Sequence, residues 1–252
     1  MDASTRTATE ESDRREAVVE CTRVTRTYAR GGSGGWFSFG GDDRDDRPTV
    51  TALEDVSLTV ERGEFVGLSG PSGSGKSTLI HLLSGLDVPT EGTVTLAGED
   101  VSALSQGELT RLRLEQVGIV FQRFHLLPSL SARTNVALPL VERGMRKSER
   151  REQAADLLER VGLGDRLGHR PGELSGGEQQ RVAVARALAG DPLVVFADEP
   201  TGELDTDTGA VILDLLADLA EDRAVVLASH DERALDRTDR VIRLRDGRVK
   251  DA

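Results

Sequence analysis

GPSGSGKSTLIHLL, running from Gly70 to Leu83, decides the reading of this chain. Its first eight residues fit G-x-x-x-x-G-K-[ST], and they stand between an alternating apolar stretch that ends near Gly70 and an amphipathic run that predicts a helix from about Lys76 to Leu83. Glycines let the backbone of Gly70, Pro71, Ser72, Gly73, Ser74, Gly75, Lys76, Ser77 and Thr78 close around phosphate oxygens, Pro71 supplying shape and the others amide donors. The helix start adds positive potential, Lys76 neutralises β- and γ-phosphate oxygens, and the hydroxyl of Ser77 reaches Mg²⁺. A strand, a glycine loop and a helix in that order predict a phosphate-binding α/β core.

Upstream, AVVECTRVTRTY reads as a strand ending near Tyr28, and VTALEDVSLTVERGEFVGLSG as two strands joined at Glu61 to Glu64. Between them, residues 29–48 are glycine-rich and then charged, a loop by composition; Trp36, Phe37 and Phe39 inside it either fold back on the domain or touch a partner. Residues 1–16 have almost no apolar content and read as a solvated, disordered tail. Downstream come short strands at 92–97 and 117–121 around a helix near Glu108 to Glu115, then a mostly helical stretch at about 122–190. From Leu193 the βα alternation resumes and closes in a hairpin with an Asp246-Gly247 turn. The pattern predicts an α/β fold: a P-loop NTPase core with a mixed or parallel sheet, an inserted helical lobe and an N-terminal antiparallel β part, together spanning 17–250.

Three further strand ends carry chemistry. LVVFADE delivers Asp198 and Glu199, a pairing that suits a Mg²⁺-holding carboxylate followed by a general base for water. His230 follows AVVLAS, and Gln122 closes VGIVFQ, from where it could reach the metal or the water. A second anion grip lies in LSGGEQQRVAVARAL, Leu174 to Leu188, where Ser175, Gly176 and Gly177 precede an amphipathic helix with bare amides. If that turn tops the helical lobe, it cannot close on the phosphate held by Lys76 of its own chain.

The set resembles the nucleotide-binding subunits of ATP-binding cassette (ABC) transporters over about residues 18 to 250. GPSGSGKST is similar to the Walker A loop, Gln122 to the Q-loop, LSGGEQQR to the family signature, LVVFADE to the Walker B strand, GELD with Asp205 to the D-loop, and SHD with His230 to the switch histidine. Tyr28 falls where the family places an aromatic that stacks on adenine. The resemblance implies ATP and Mg²⁺ as cofactors and a head-to-tail homodimer formed on ATP binding. In that dimer Leu174, Ser175, Gly176, Gly177 and Glu178 of one copy would meet the nucleotide of the other. It also implies a membrane permease on a separate chain, docked beside the Q-loop at Arg123 to Leu130, with apolar Phe124, Leu126, Leu127 and Leu130. GLDVPTEGTV, VGIVFQRFHLLPSLSARTNVALPL and ADEPTGELD resemble the lipoprotein-releasing and macrolide-efflux branch. A regulatory ATPase of the cell-division kind and a polar-solute importer remain alternatives.

Bulk composition agrees. The chain has 252 residues with 44 acidic against 32 basic side chains, a net charge of −12 that repels nucleic acid and anionic lipid. Only Lys76, Lys147 and Lys250 are lysines, so the excess of acid fits a salt-rich cytoplasm, while a GC-rich genome would account for arginine over lysine alone. No apolar run approaches the roughly 20 residues of a membrane span and no leader-like segment opens the chain, so it is expected in the cytoplasm, held to the membrane through the permease. Cys21, the one cysteine, reads as a strand residue without chemistry.

Overall fold

A computed structural model describes residues 16–29 and 48–251. The tail before residue 16 and the segment carrying Trp36, Phe37 and Phe39 lie outside the described residues. Two sheets form the frame. Strands β1 (Ala17–Ala29), β2 (Thr49–Glu61), β4 (Glu91–Leu96) and β5 (Glu99–Asp100) make a four-stranded antiparallel sheet in the order β2-β1-β4-β5. Strands β3 (Phe65–Ser69), β6 (Val117–Phe121), β7 (Val194–Asp198), β8 (Ala224–Ala228), β9 (Arg240–Arg245) and β10 (Arg248–Asp251) make the second, ordered β10-β9-β3-β8-β7-β6. It is parallel except for β10, so the sheet is mixed.

The two strands that sequence places on either side of Glu61 to Glu64 therefore belong to different sheets. β2 pairs with β1, and the turn sends β3 into the centre of the other layer. Side-chain alternation explains how one strand serves two cores. In β7, Val194 and Phe196 join the cluster under the antiparallel sheet, while Val195 and Ala197 face the helices; β8 divides the same way at Ala224, Val226 and Ala228 against Val225 and Leu227. Strands buried on both faces read as continuous apolar runs, as LVVFAD and AVVLA do.

Helix α1 (Lys76–Leu83) lies between the sheets, with Leu79, Ile80, Leu82 and Leu83 fully buried. Helix α2 (Gln106–Gln116) starts at a capping box between Ser105 and Glu108. Between β6 and β7 come α3 (Ala132–Val136), α4 (Leu138–Glu142), α5 (Lys147–Arg160), 3-10 turns at Gly164–Arg166 and Pro171–Glu173, and α6 (Gly176–Leu188). These helices share their core with one face of the sheet, since Leu140, Leu158 and Val184 cluster with Val195 and Leu227. Helix α7 (Thr206–Ala220) packs on β8 and α6, and α8 (Glu232–Leu235) against β3. Cys21 is buried against β2, and burial pushes its thiol up to about 12, which leaves it inert at neutral pH.

Candidate functional site

Register brings four strand ends to one level. Phe121 pairs with Asp198, Asp198 with Ala228, and Ala228 with Leu68. Gln122, Glu199, Ser229, His230 and the glycine loop after β3 therefore leave the sheet along one edge, where parallel α/β sheets hold ligands. The groove there, about 590 Å³, is lined by Ala52, residues 72–78, Gln122, Asp198, Glu199 and His230.

The glycine loop is shaped by close approach. Gly75 has φ 106°, and a Cβ on it would stand 2.7 Å from Leu53 Cδ2 and 2.8 Å from the Ala52 carbonyl. Only glycine lets β2 press against the start of α1 there. Gly75 also caps α1 without a side-chain bond, so the first-turn amides keep their donors for an anion. Lys76 Nζ, largely buried, donates to the Gly70 carbonyl at 2.7 Å and the Pro71 carbonyl at 3.4 Å, which fixes its charge over the groove.

Glu199 faces that lysine. Its Oε1 is 4.0 Å from Lys76 Nζ, and its Oε2 accepts from His230 Nδ1 at 2.9 Å and from the buried Ser229 hydroxyl at 3.5 Å. His230 itself is well exposed. The backbone of Glu199 is left-handed, φ 47°, unusual for a residue with a long side chain.

Asp198 has a buried Oδ1 without a hydrogen-bond partner among the described residues. Burial holds its carboxyl above the ordinary range, opposed by the Ser77 hydroxyl and by His81 and Lys76. A buried, unpartnered carboxylate oxygen on a residue bonded to the Ser77 hydroxyl, in a groove that Gln122 also lines, fits a hard divalent cation such as Mg²⁺. The sign of the pH effect follows. The raised folded value makes ionisation costly, so this cost is absent below the unfolded carboxylate pKa and grows as pH rises through the folded one. Without metal and nucleotide, Asp198→Asn is expected to melt about 3 °C above the native chain at pH 8 and to converge with it near about pH 4. A melting series across pH checks this, and a gap that shrinks with rising pH contradicts it.

The second grip stands apart. Ser175 caps α6: its Oγ accepts from the Glu178 amide at 3.2 Å, while the Glu178 carboxylate accepts from the Ser175 amide at 2.8 Å and from Arg166 Nε at 3.1 Å. Leu174 is buried behind the cap. Gly176 stands in open contact, its nearest would-be neighbour Leu204 Cδ2 at 3.5 Å, whereas a Cβ on Gly177 would meet Thr208 Cγ2 at 2.0 Å, so Gly177 sets how closely α6 approaches α7. Asp205 caps α7 through the Thr208 amide at 3.0 Å and its hydroxyl at 2.7 Å. Ser175, Gly177, Glu178, Arg181, Asp207 and Thr208 line a separate groove of about 250 Å³ that shares no residue with the first.

Tyr28 also lies outside the first groove. Its hydroxyl donates to Asp87 Oδ2 at 2.9 Å, and the Arg26 guanidinium covers its ring at 4.6 Å. Ala52 and His81 are not legible as site residues in the sequence, because nothing in β2 or mid-α1 marks a neighbour of the loop.

A glycine loop pressed onto a helix start, at an edge shared with acid and histidine strand ends, defines a P-loop ATPase. Comparison with known proteins makes this narrower. The family model described as ABC transporter matches residues 53–202, and the chain belongs to that family. It is 51 % identical over 202 residues to an uncharacterized ABC transporter ATP-binding protein of Thermotoga maritima, covering 80 % of this chain and 86 % of that protein. It is 48 % identical over 233 residues to the macrolide export ATP-binding/permease protein MacB of Hyphomonas neptunium, covering 92 % of this chain but only 34 % of MacB's length. Among solved structures, the ATP-binding cassette MJ0796, as a dimer in a post-hydrolysis state bound to ADP and Pi, superposes with a TM-score of 0.80 at 40 % identity, covering 92 % of this chain and 97 % of that one.

Proposed function

We propose that this ATPase works as a pair of copies that close on ATP and drive a membrane permease carried on another chain, of the macrolide-efflux or lipoprotein-release kind. One observation carries the reading: the two phosphate-ready helix starts of a single chain, at Lys76 and at Ser175, line different grooves. A second copy turned head to tail supplies the missing half of each site. The dimeric MJ0796 cassette supports the pairing of two copies, and the macrolide-export MacB relatives support the branch.

Each residue then has a task set by its position. The loop amides and Lys76 hold the phosphates, and Ser77, Asp198 and Gln122 would hold Mg²⁺, which supplies charge neutralisation at the β- and γ-oxygens when bound. Glu199 takes the proton of the attacking water, and His230, fixed by its bond to Glu199, contacts the γ-phosphate. Tyr28 would stack on adenine with the ring face opposite the one that Arg26 covers. Ser175, Gly176 and Gly177 grip the partner copy's γ-phosphate, and Asp205 shapes the seam by capping α7.

The permease surface is argued from segment 123–130. Asn135, fully buried, accepts from the Leu127 amide at 2.8 Å and donates to the Leu127 and Leu130 carbonyls at 3.1 and 3.2 Å. Leu126 packs into the helical core, whereas Leu127 stays 46 % exposed on this stapled turn. A rigid, outward leucine suits a docking anchor. Leu127→Glu is expected to leave melting and basal ATPase rate unchanged, and to cut recovery with a co-expressed permease in the membrane fraction by about tenfold or more. Full recovery of the variant with the membrane would move the docking surface elsewhere.

A further inference from the structure

Gln180 lies on α6, one turn past the Ser175 cap, and is fully buried. Its Nε2 donates to the Pro200 carbonyl at 2.7 Å and reaches the Phe121 carbonyl at 3.4 Å. Two carbonyl acceptors fix which end of the amide faces them, since the oxygen could not take that place. That orientation leaves Gln180 Oε1 buried with no hydrogen-bond partner among the described residues. A buried orphan acceptor destabilises a fold, so a side chain that carries one is retained for something other than stability.

What it holds is the turn that carries Glu199. Pro200 follows Glu199 directly, and Phe121 directly precedes Gln122. Glu199 adopts φ 47°, a conformation that persists only where its surroundings over-determine it. Three bonds do so: the Glu199 amide to the Ala228 carbonyl at 2.9 Å, the Gly202 amide to the Glu199 carbonyl at 3.1 Å, and the Gln180 bond to Pro200. The first comes from the sheet and the second from the turn itself. Gln180 alone of the three comes from the helix whose start is the second phosphate grip.

We infer that Gln180 is a positioning residue for hydrolysis: it pins the left-handed turn of Glu199 to the signature helix α6, so that the carboxylate is aimed only while that helix is in place. The inference rests on the reading of Glu199 as general base. It connects engagement of Ser175 with a nucleotide to the aim of Glu199 and, through Phe121, of Gln122, within one chain. No proton or bond is exchanged at Gln180; its contribution is geometric, and small misplacement of a base costs rate rather than affinity.

The test uses the full chain with ATP and Mg²⁺. Gln180→Met keeps volume and removes both the donor and the orphan oxygen, and Gln180→Leu is a second variant of similar bulk. The expected result is a melting temperature within a few degrees of native, because removal of the orphan oxygen is offset by the Pro200 carbonyl left without its donor, with a KM for ATP within about twofold and kcat lower by about tenfold or more. In a Glu199→Gln background, Gln180→Met is expected to lower kcat no further, because the two act as a unit. Native kcat in both Gln180 variants overturns the inference, as does loss of folding in both, a KM rising in step with the loss of rate, or effects that multiply in the double variant. Native turnover in Glu199→Gln alone removes the base assignment itself, a distinct failure.

Discussion

Glu199→Gln is expected to lower ATP turnover by about 10²- to 10⁴-fold while nucleotide affinity stays near native. The substitution is close to isosteric. The glutamine can still accept from His230 Nδ1, now 2.9 Å from Glu199 Oε2, and from the Ser229 hydroxyl at 3.5 Å. It loses the capacity to take a proton and the 4.0 Å attraction to Lys76 Nζ. Lys76 keeps its anchors on the Gly70 and Pro71 carbonyls, so the phosphate cradle persists. Chemistry is therefore removed and binding retained, and ATP bound at a shared seam has no route to release. The variant is expected to run as an ATP-dependent dimer on size exclusion where the native chain, after turnover, does not. Native turnover in Glu199→Gln would transfer the base role away from this carboxylate. Unlike Asp198→Asn, whose main effect without metal is on stability, this change should leave the melting curve almost untouched.

The contrast between those neighbouring carboxylates shows what the sequence displayed and what it concealed. LVVFADE announces two acids at the end of a buried strand, and GPSGSGKST announces the loop beside them, because both patterns are local and bound to a period or a turn. The extent of α1, Lys76 to Leu83, is legible for the same reason. That Asp198 is the member with an orphaned oxygen, and Glu199 the one on a left-handed backbone, depends on contacts from β8 and α1 that no local pattern states. Gln180 is invisible in the same way. It sits in EQQR, inside the signature-like stretch, where no local pattern singles it out, and its partners lie 20 and 59 residues away. The clamp on Tyr28 joins residues 59 apart as well. The alternation in β2 and β3 was read correctly as strands, but alternation says nothing of which sheet receives each, and the turn at Gly63 separates them. Local chemistry was legible; the bonds that aim it cross the fold.

Whether each site is built from two copies can be decided by mixing two inactive chains. Lys76→Ala removes the cation over the phosphate loop, and Ser175→Arg fills the cap of α6 with a side chain too large for a phosphate to approach. Each is expected to be inactive as a homodimer, with turnover reduced by about 10²-fold or more. The geometry behind the expectation is the separation of the grooves: the first, of about 590 Å³, contains Lys76 and no residue of 174–178, and the second contains Ser175 and no residue of the loop. In a mixed head-to-tail dimer, one seam joins both altered residues and the other joins native Lys76 of one chain to native Ser175 of its partner. Equal amounts of the two chains should then regain about one quarter of native activity, half the dimers being mixed and each holding one intact seam, when seams turn over independently. If Lys76 and Ser175 instead served the same nucleotide within one chain, every site in the mixture would carry one altered residue, and no activity would return. The reading also fixes a concentration dependence, since the regained rate should fall on dilution below the dissociation constant of the ATP-bound pair. Activity that returns on mixing and disappears on dilution identifies the seam; a mixture as silent as its components places both grips on one phosphate.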